Sequence, residues 1–300
     1  MQINMIRSDK VYQEMLELPL EKREGCFRAK ILSPFATKYQ TQHIPLKAKY
    51  PGGFDALFLL GFMNQLPSTL SEKDRPAIDA LSSDQLWQNC QDTIKRSIGL
   101  FEQAGYDLVV EDYHFTILLG NPEKPMLQLN KGYSGDGGIP GYLMLSLLPN
   151  DYTLPRVQAA LAHECNHNVR FQFIKWNQQT TLADWVVSEG LAESFAAELY
   201  GKDFIGPWVT STSFEQLEEI KPIISSQLHL TGMAEMAPYL YGDEIAKIQG
   251  QIPVGMPYAA GYAYGYHLIQ AYLKRTGKSI IEATVTPTEE ILEATKDFWK

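Results

Sequence analysis

The sequence predicts an α+β fold, with a mixed α/β portion over residues 1–150 and a mainly helical portion over 151–300, or one compact domain that includes both. Three observations point there. The 300 residues are 45% hydrophobic and 20% charged, enough for a sizeable buried core. Short β-rich runs bounded by turn residues stop near residue 150. From Asp151 onward, apolar residues recur mainly at helical spacing.

The elements follow in order. Val11, Met15 and Leu16 give helical spacing from Ser8 to about Arg23. Leu86, Trp87, Ile94, Ile98, Leu100 and Phe101 mark a longer helix over Gln85–Ala104, ended by Gly105. Tyr106–Val110 and Phe115–Leu119 have strand composition, the second closing at Gly120-Asn-Pro122. Gly132–Gly141, "GYSGDGGIPG", reads as a flexible loop leading to a strand at Tyr142–Leu148. A helix opens at Thr153-Leu-Pro155 and runs to about Phe173. A second starts with the capping box Thr181-Leu-Ala-Asp184 and stops at Gly201. A third spans Pro257–Thr276, with Gly277 as its stop.

Charge and composition remove some functions. A net charge of −9 argues against nucleic acid and against an anionic membrane surface as partners. The first 26 residues lack a signal-peptide core, and apolar runs such as Phe54–Met63 are too short to span a bilayer. Cys26, Cys90 and Cys165 form an odd, sparse set without metal-binding spacing. These features fit a cytoplasmic protein. They leave its oligomeric state open.

The chemistry centres on "ALAHECNHNVRFQ", residues 160–172. On a helix, His163 and His167 project from one face, and neutral imidazoles are good zinc ligands. Glu164, rotated off that axis, can serve as a base for an attacking water. Chance alone supplies such a pattern in a chain of this composition with probability on the order of one in a hundred. A catalytic zinc also needs a third protein ligand. The next helix offers Glu189 within "SEGLAE", an acid among apolar neighbours that must be paired or bound to a cation. The polar connection Asn177–Thr181 suits a hairpin between the two helices. Glu193, one turn beyond Glu189, either accepts the second N–H of a ligating histidine or is a solvated side chain. Arg170 returns to the histidine face two turns on, to balance carboxylates, contact substrate or, more simply, form a salt bridge. Cys165 and Asn166 point away as packing residues. His43, His114 and His229 have no partner motif, and His267 reads as a surface or supporting residue.

His163-Glu-x-x-His167 followed by Ser188-Glu-Gly-Leu-Ala-Glu193 resembles the gluzincin class of zinc metallopeptidases, with Ser188 where asparagine is usual and a longer hairpin. "HECNHNVR", "SEGLAESF" and "YAAGYAYGYHLIQAYL" are similar to the YjaZ-type zinc-dependent proteases of bacteria, over roughly the second half of the chain. The resemblance implies a zincin, thermolysin-like fold and a peptide or protein substrate. It implies Zn²⁺ held by His163, His167 and Glu189, with Glu164 as general base and then acid. Gluzincins commonly stabilise the oxyanion with a tyrosine or histidine from a later helix; Tyr262 is the candidate here and Tyr258 the runner-up. Gly261 and Gly265 on the same face would admit close approach to the metal-binding helices. The resembled fold also makes Tyr142–Leu148 the edge strand along which substrate lies. A zinc-dependent hydrolase of a small amide and a non-catalytic binding module with a protease-like site are the alternative functions.

Overall fold

The computed structural model describes residues 1–177 and 179–299. It is α+β, helices predominating over one four-stranded sheet. The chain divides into two compact units, residues 1–96 with 109–164 and residues 97–108 with 165–300.

The first unit holds the sheet. Strands β1 (Gln2–Met5), β2 (Asp112–Leu119), β3 (Tyr133–Asp136) and β4 (Tyr142–Leu147) lie in the order β1-β2-β4-β3. β1, β2 and β4 run parallel, whereas β3 returns antiparallel to β4 with Gly135 opposite Leu145. β2 is buried from Phe115 to Leu119, the continuous apolar run of an interior parallel strand. Helix α1 (Ser8–Glu17) buries Tyr12 and Met15, and the Tyr12 hydroxyl accepts a hydrogen bond from the Leu119 N–H. Helix α2 (Asp84–Gln103) sets Trp87 against Phe115.

Four sequence expectations change here. Tyr106–Val110 forms no strand, because the slot beside β2 belongs to β1, whose Gln2 N–H donates to the Glu111 carbonyl. Tyr142–Leu147 lies inside the sheet, paired on both sides, and so is not the edge strand. The terminal strand is β3, formed by "YSGD" within the segment expected to be a loop. Pro19 also ends the first helix early, and a separate helix begins at Leu20.

In the second unit the elements are the later part of α3 (Val157–Phe173), then α4 (Leu182–Tyr200), α5 (Phe214–Gln227), α6 (Ala260–Thr276), α7 (Ile280–Val285) and α8 (Thr288–Ala294). α4 starts with the predicted capping box: Thr181 accepts from the Asp184 N–H, and Asp184 accepts from the Thr181 N–H. From Val186 to Ala196 every residue of α4 is buried, as in a helix enclosed on all sides. α6 crosses it at two glycines. A Cβ at Gly265 would overlap the Val186 carbonyl, and one at Gly190 would overlap the Gly265 carbonyl. Gly261 instead faces Leu240, where a Cβ would stand 2.8 Å from Cα. Tyr258 precedes α6 in a turn, so it does not share a helical face with Tyr262. Among the described residues, no helix is long and apolar enough to cross a membrane.

The glycine crossing is testable. Gly265→Ala should lower thermal stability by about 1–3 kcal/mol through overpacking against backbone that cannot yield. Gly25→Ala, on a helix with open space around it, should hold or raise the melting temperature. Calorimetry of the two variants checks the contrast.

Candidate metal centre

α3 is buried at every position from Leu161 to Arg170, which takes His163, Glu164 and His167 out of solvent together. Glu189 is buried on α4 between Ser188 and Gly190. One ligand atom each from His163, His167 and Glu189 falls within 4.8 Å of the others. The His167 Nε2 to Glu189 Oε2 distance is 3.3 Å. Two donors at tetrahedral angles on zinc, each about 2.0–2.2 Å from the ion, stand roughly 3.4 Å apart. Two imidazoles and a carboxylate, buried and this close, are a donor set suited to zinc.

Arg170 ties together the two helices that carry this cluster. Its guanidinium is fully buried and reaches only neutral oxygens: Nε donates to Ser188 Oγ at 3.1 Å, Nη1 to the Thr284 and Thr286 carbonyls, and Nη2 to Thr288 Oγ1. Among the described residues Arg170 forms no salt bridge, and carbonyl and hydroxyl acceptors of α7, α8 and the segment between them take its place. Burial pushes the Arg170 pKa down to about 10, against smaller opposing effects of Asp184 and Glu289. Ser188, where the gluzincin pattern has asparagine, accepts this bond next to Glu189. Asn166 adds a parallel tie, donating to Thr284 Oγ1 at 2.7 Å, and Cys165 is fully buried.

Glu193 has donors that the sequence did not suggest. Its Oε1 accepts from the Gly206 N–H at 2.6 Å and its Oε2 from the Trp208 indole at 2.7 Å. The Trp208 ring neighbours Tyr262, which is half-buried and also lies near Tyr241. His267, expected near the surface, is half-buried, and its pKa is held down by burial and then by Lys221.

Glu164 is set against β3. A Cβ at Gly135 would overlap the Glu164 carboxylate, and one at Gly137 would overlap its backbone carbonyl. Both positions therefore require glycine for the strand and its following turn to pass this close. Asp136, on the alternate face, takes a 2.7 Å ion pair from the buried Lys38. A "GYSGDGG" run reads as a loop in sequence, yet its alternate glycines are the trace of that approach. An aromatic run also escaped notice: His167 stacks parallel on Phe171, and Phe171 leads edge-on to Trp176 and then Trp185. It closes the hairpin between α3 and α4, within whose connection Gln178 lies outside the described residues.

No solved structure matches the chain. "Uncharacterized protein YjfC" of Bacillus subtilis (strain 168) is 34% identical over 293 residues, covering 97% of this chain and 97% of its own length. "Uncharacterized protein YjaZ" of the same organism is 26% identical over 155 residues, covering 50% of this chain and 55% of its own. The family model described as "Predicted Zn-dependent protease (DUF2268)" matches residues 86–293, and the chain belongs to that family.

Proposed function

We propose that the protein is a gluzincin-type zinc metallopeptidase of zincin fold, hydrolysing peptide bonds with His163, His167 and Glu189 as metal ligands. The observation that carries this reading is the buried cluster of those three side chains, with Glu164 beside two of them on the same helix. When bound, zinc acidifies a water and polarises a carbonyl. Glu164 takes the proton from the attacking water and delivers it to the leaving nitrogen. Tyr262, half-buried on the helix that meets α4 beside Glu189, donates to the developing oxyanion.

A peptide substrate is favoured by the place of Glu164. β3 is the terminal strand of its sheet, and its Gly135 backbone runs against the Glu164 carboxylate. An extended peptide added along β3 by main-chain hydrogen bonds would bring its carbonyl to that carboxylate. A small amide makes no use of such a strand. Glu164 also argues against an idle binding module, since metal binding alone needs no buried carboxylate next to the ligands.

Protein purified without chelator should carry about one equivalent of zinc per chain. His163→Ala and Glu189→Ala should each lose it by elemental analysis, and absence of stoichiometric zinc from the wild type would refute the assignment. Glu164→Gln should keep the metal and lose about 10²–10⁴-fold in peptide-library cleavage; unchanged cleavage would exclude Glu164 as the base. Tyr262→Phe should lower kcat by about 10²-fold at similar KM. Gly135→Ala should keep zinc yet lose activity to a comparable extent, since displacing a catalytic group by about 1 Å costs on the order of 10²-fold.

A further inference from the structure

The segment Phe54–Met63, too short to cross a bilayer, forms a surface feature of the first unit that the metal centre does not use. Tyr50, Phe54, Phe58 and Phe62 are 77%, 54%, 48% and 46% exposed. The three phenylalanines recur every fourth residue, Phe54 just before the short helix Ala56–Leu60, Phe58 within it and Phe62 in the turn after it. Their rings touch in series, at centroid distances of 5.9 and 5.5 Å, so they make one ridge rather than scattered side chains. The inner side is apolar too: Ala56 is buried, and Leu57, Leu59 and Leu60 are partly buried. A helix apolar on both faces has no polar residue with which to solvate the outer one.

Charge distinguishes this ridge from the rest of the chain. Lys47 and Lys49 are exposed on the loop leading into it. Between His43 and Ser71 the only acidic residue is Asp55, and it is buried. Asp55 caps the helix by accepting from the Phe58 N–H, pairs with Arg28 Nη2 at 2.8 Å, and accepts from the Ala48 N–H at 3.0 Å. That last bond ties the lysine loop to the base of the aromatic helix. On a neighbouring element, Glu24 is paired with the same Arg28. The exposed charges of this segment are therefore cationic and stand beside its aromatic rings, although the whole chain carries −9. At physiological ionic strength, charges farther away than about 8 Å are largely screened, so a membrane meets the local sign rather than the total.

We infer that this face docks on an anionic lipid surface. The phenyl rings and Tyr50 enter the headgroup boundary, and Lys47 and Lys49 meet the lipid phosphates, as in a peripheral, interfacial attachment. The inference is independent of the metal and of hydrolysis, and is an alternative to the expectation drawn from net charge alone.

The test is cosedimentation of the full chain with phosphatidylcholine vesicles and with phosphatidylcholine–phosphatidylglycerol vesicles at 7:3. Binding is expected to the anionic vesicles, at least about tenfold stronger than to the neutral ones, and to weaken as salt is raised. Lys47→Glu with Lys49→Glu should reduce it by about tenfold or more. Phe58→Ser should reduce it as well, while Phe58→Trp should retain it. Melting curves and zinc content equal to wild type show that the variants are folded. The proposal is overturned if the wild type does not bind, if binding ignores both lipid charge and the lysine reversals, or if Phe58→Ser abolishes only a self-associated dimer or a peptide complex.

Discussion

The carboxylate of Glu189 constrains more of this structure than any other group. It sits in the middle of a helix buried on every side, where an ionised carboxylate without partners would cost several kcal/mol. On α4 it is flanked by Ser188 and Gly190, and no basic side chain lies within a turn of it, so a compensating charge must come from other elements. The structure supplies His167 at 3.3 Å and brings His163 into the same cluster. A divalent cation held among the three would offset the buried negative charge. The cluster therefore has the donors and the burial to hold a metal ion.

Such a site also demands fixed helix positions, and Arg170 and the glycine crossing provide them by different means. Arg170 spends its donors on neutral oxygens of α4, α7, α8 and the segment between, so its charge adds hydrogen-bond strength, about 1.5–3 kcal/mol per bond, without claiming a ligand carboxylate. Gly190 and Gly265 bring α4 and α6 to backbone contact, where no side-chain rotamer can slip. Glu189 thus has a hydrogen-bonded serine on one side and a backbone wall on the other. Glu193, one turn on, is held by the Gly206 N–H and the Trp208 indole, which fixes the far end of the same helix face.

What the sequence revealed follows from how local each signal is. His163, His167 and Glu189 were legible because their spacing and the Thr181 capping box are properties of single helices. The α3–α4 hairpin needed only those two elements. The sheet was less legible, since β1 and β3 are each four residues long and gain identity only from partners far along the chain. β3 further carries Gly135, which weakens its strand signal while enabling its approach to Glu164. The acceptors of Arg170 lie up to 118 residues away, and nothing in "HNVR" could name them. A salt bridge was the natural guess for a buried arginine; backbone carbonyls at Thr284 and Thr286 leave no periodic trace in a sequence.

The same distinction between local and summed properties governs the surface. Net charge is a sum over the chain, while attraction to a membrane, a peptide or another protein is decided within a Debye length of the contact. Asp55 shows how a sum misleads: it counts as −1, yet its charge is buried, capped by amides and matched by Arg28. Removing it from the tally leaves Lys47 and Lys49 as the exposed charges of a stretch of chain with four exposed aromatic rings. Metal centre and aromatic ridge thus rest on one physical argument: a group that water cannot adequately solvate indicates what it is built to meet. On that argument we propose a cation for Glu189 and, for Phe54, Phe58 and Phe62, an apolar phase with anionic headgroups at its border.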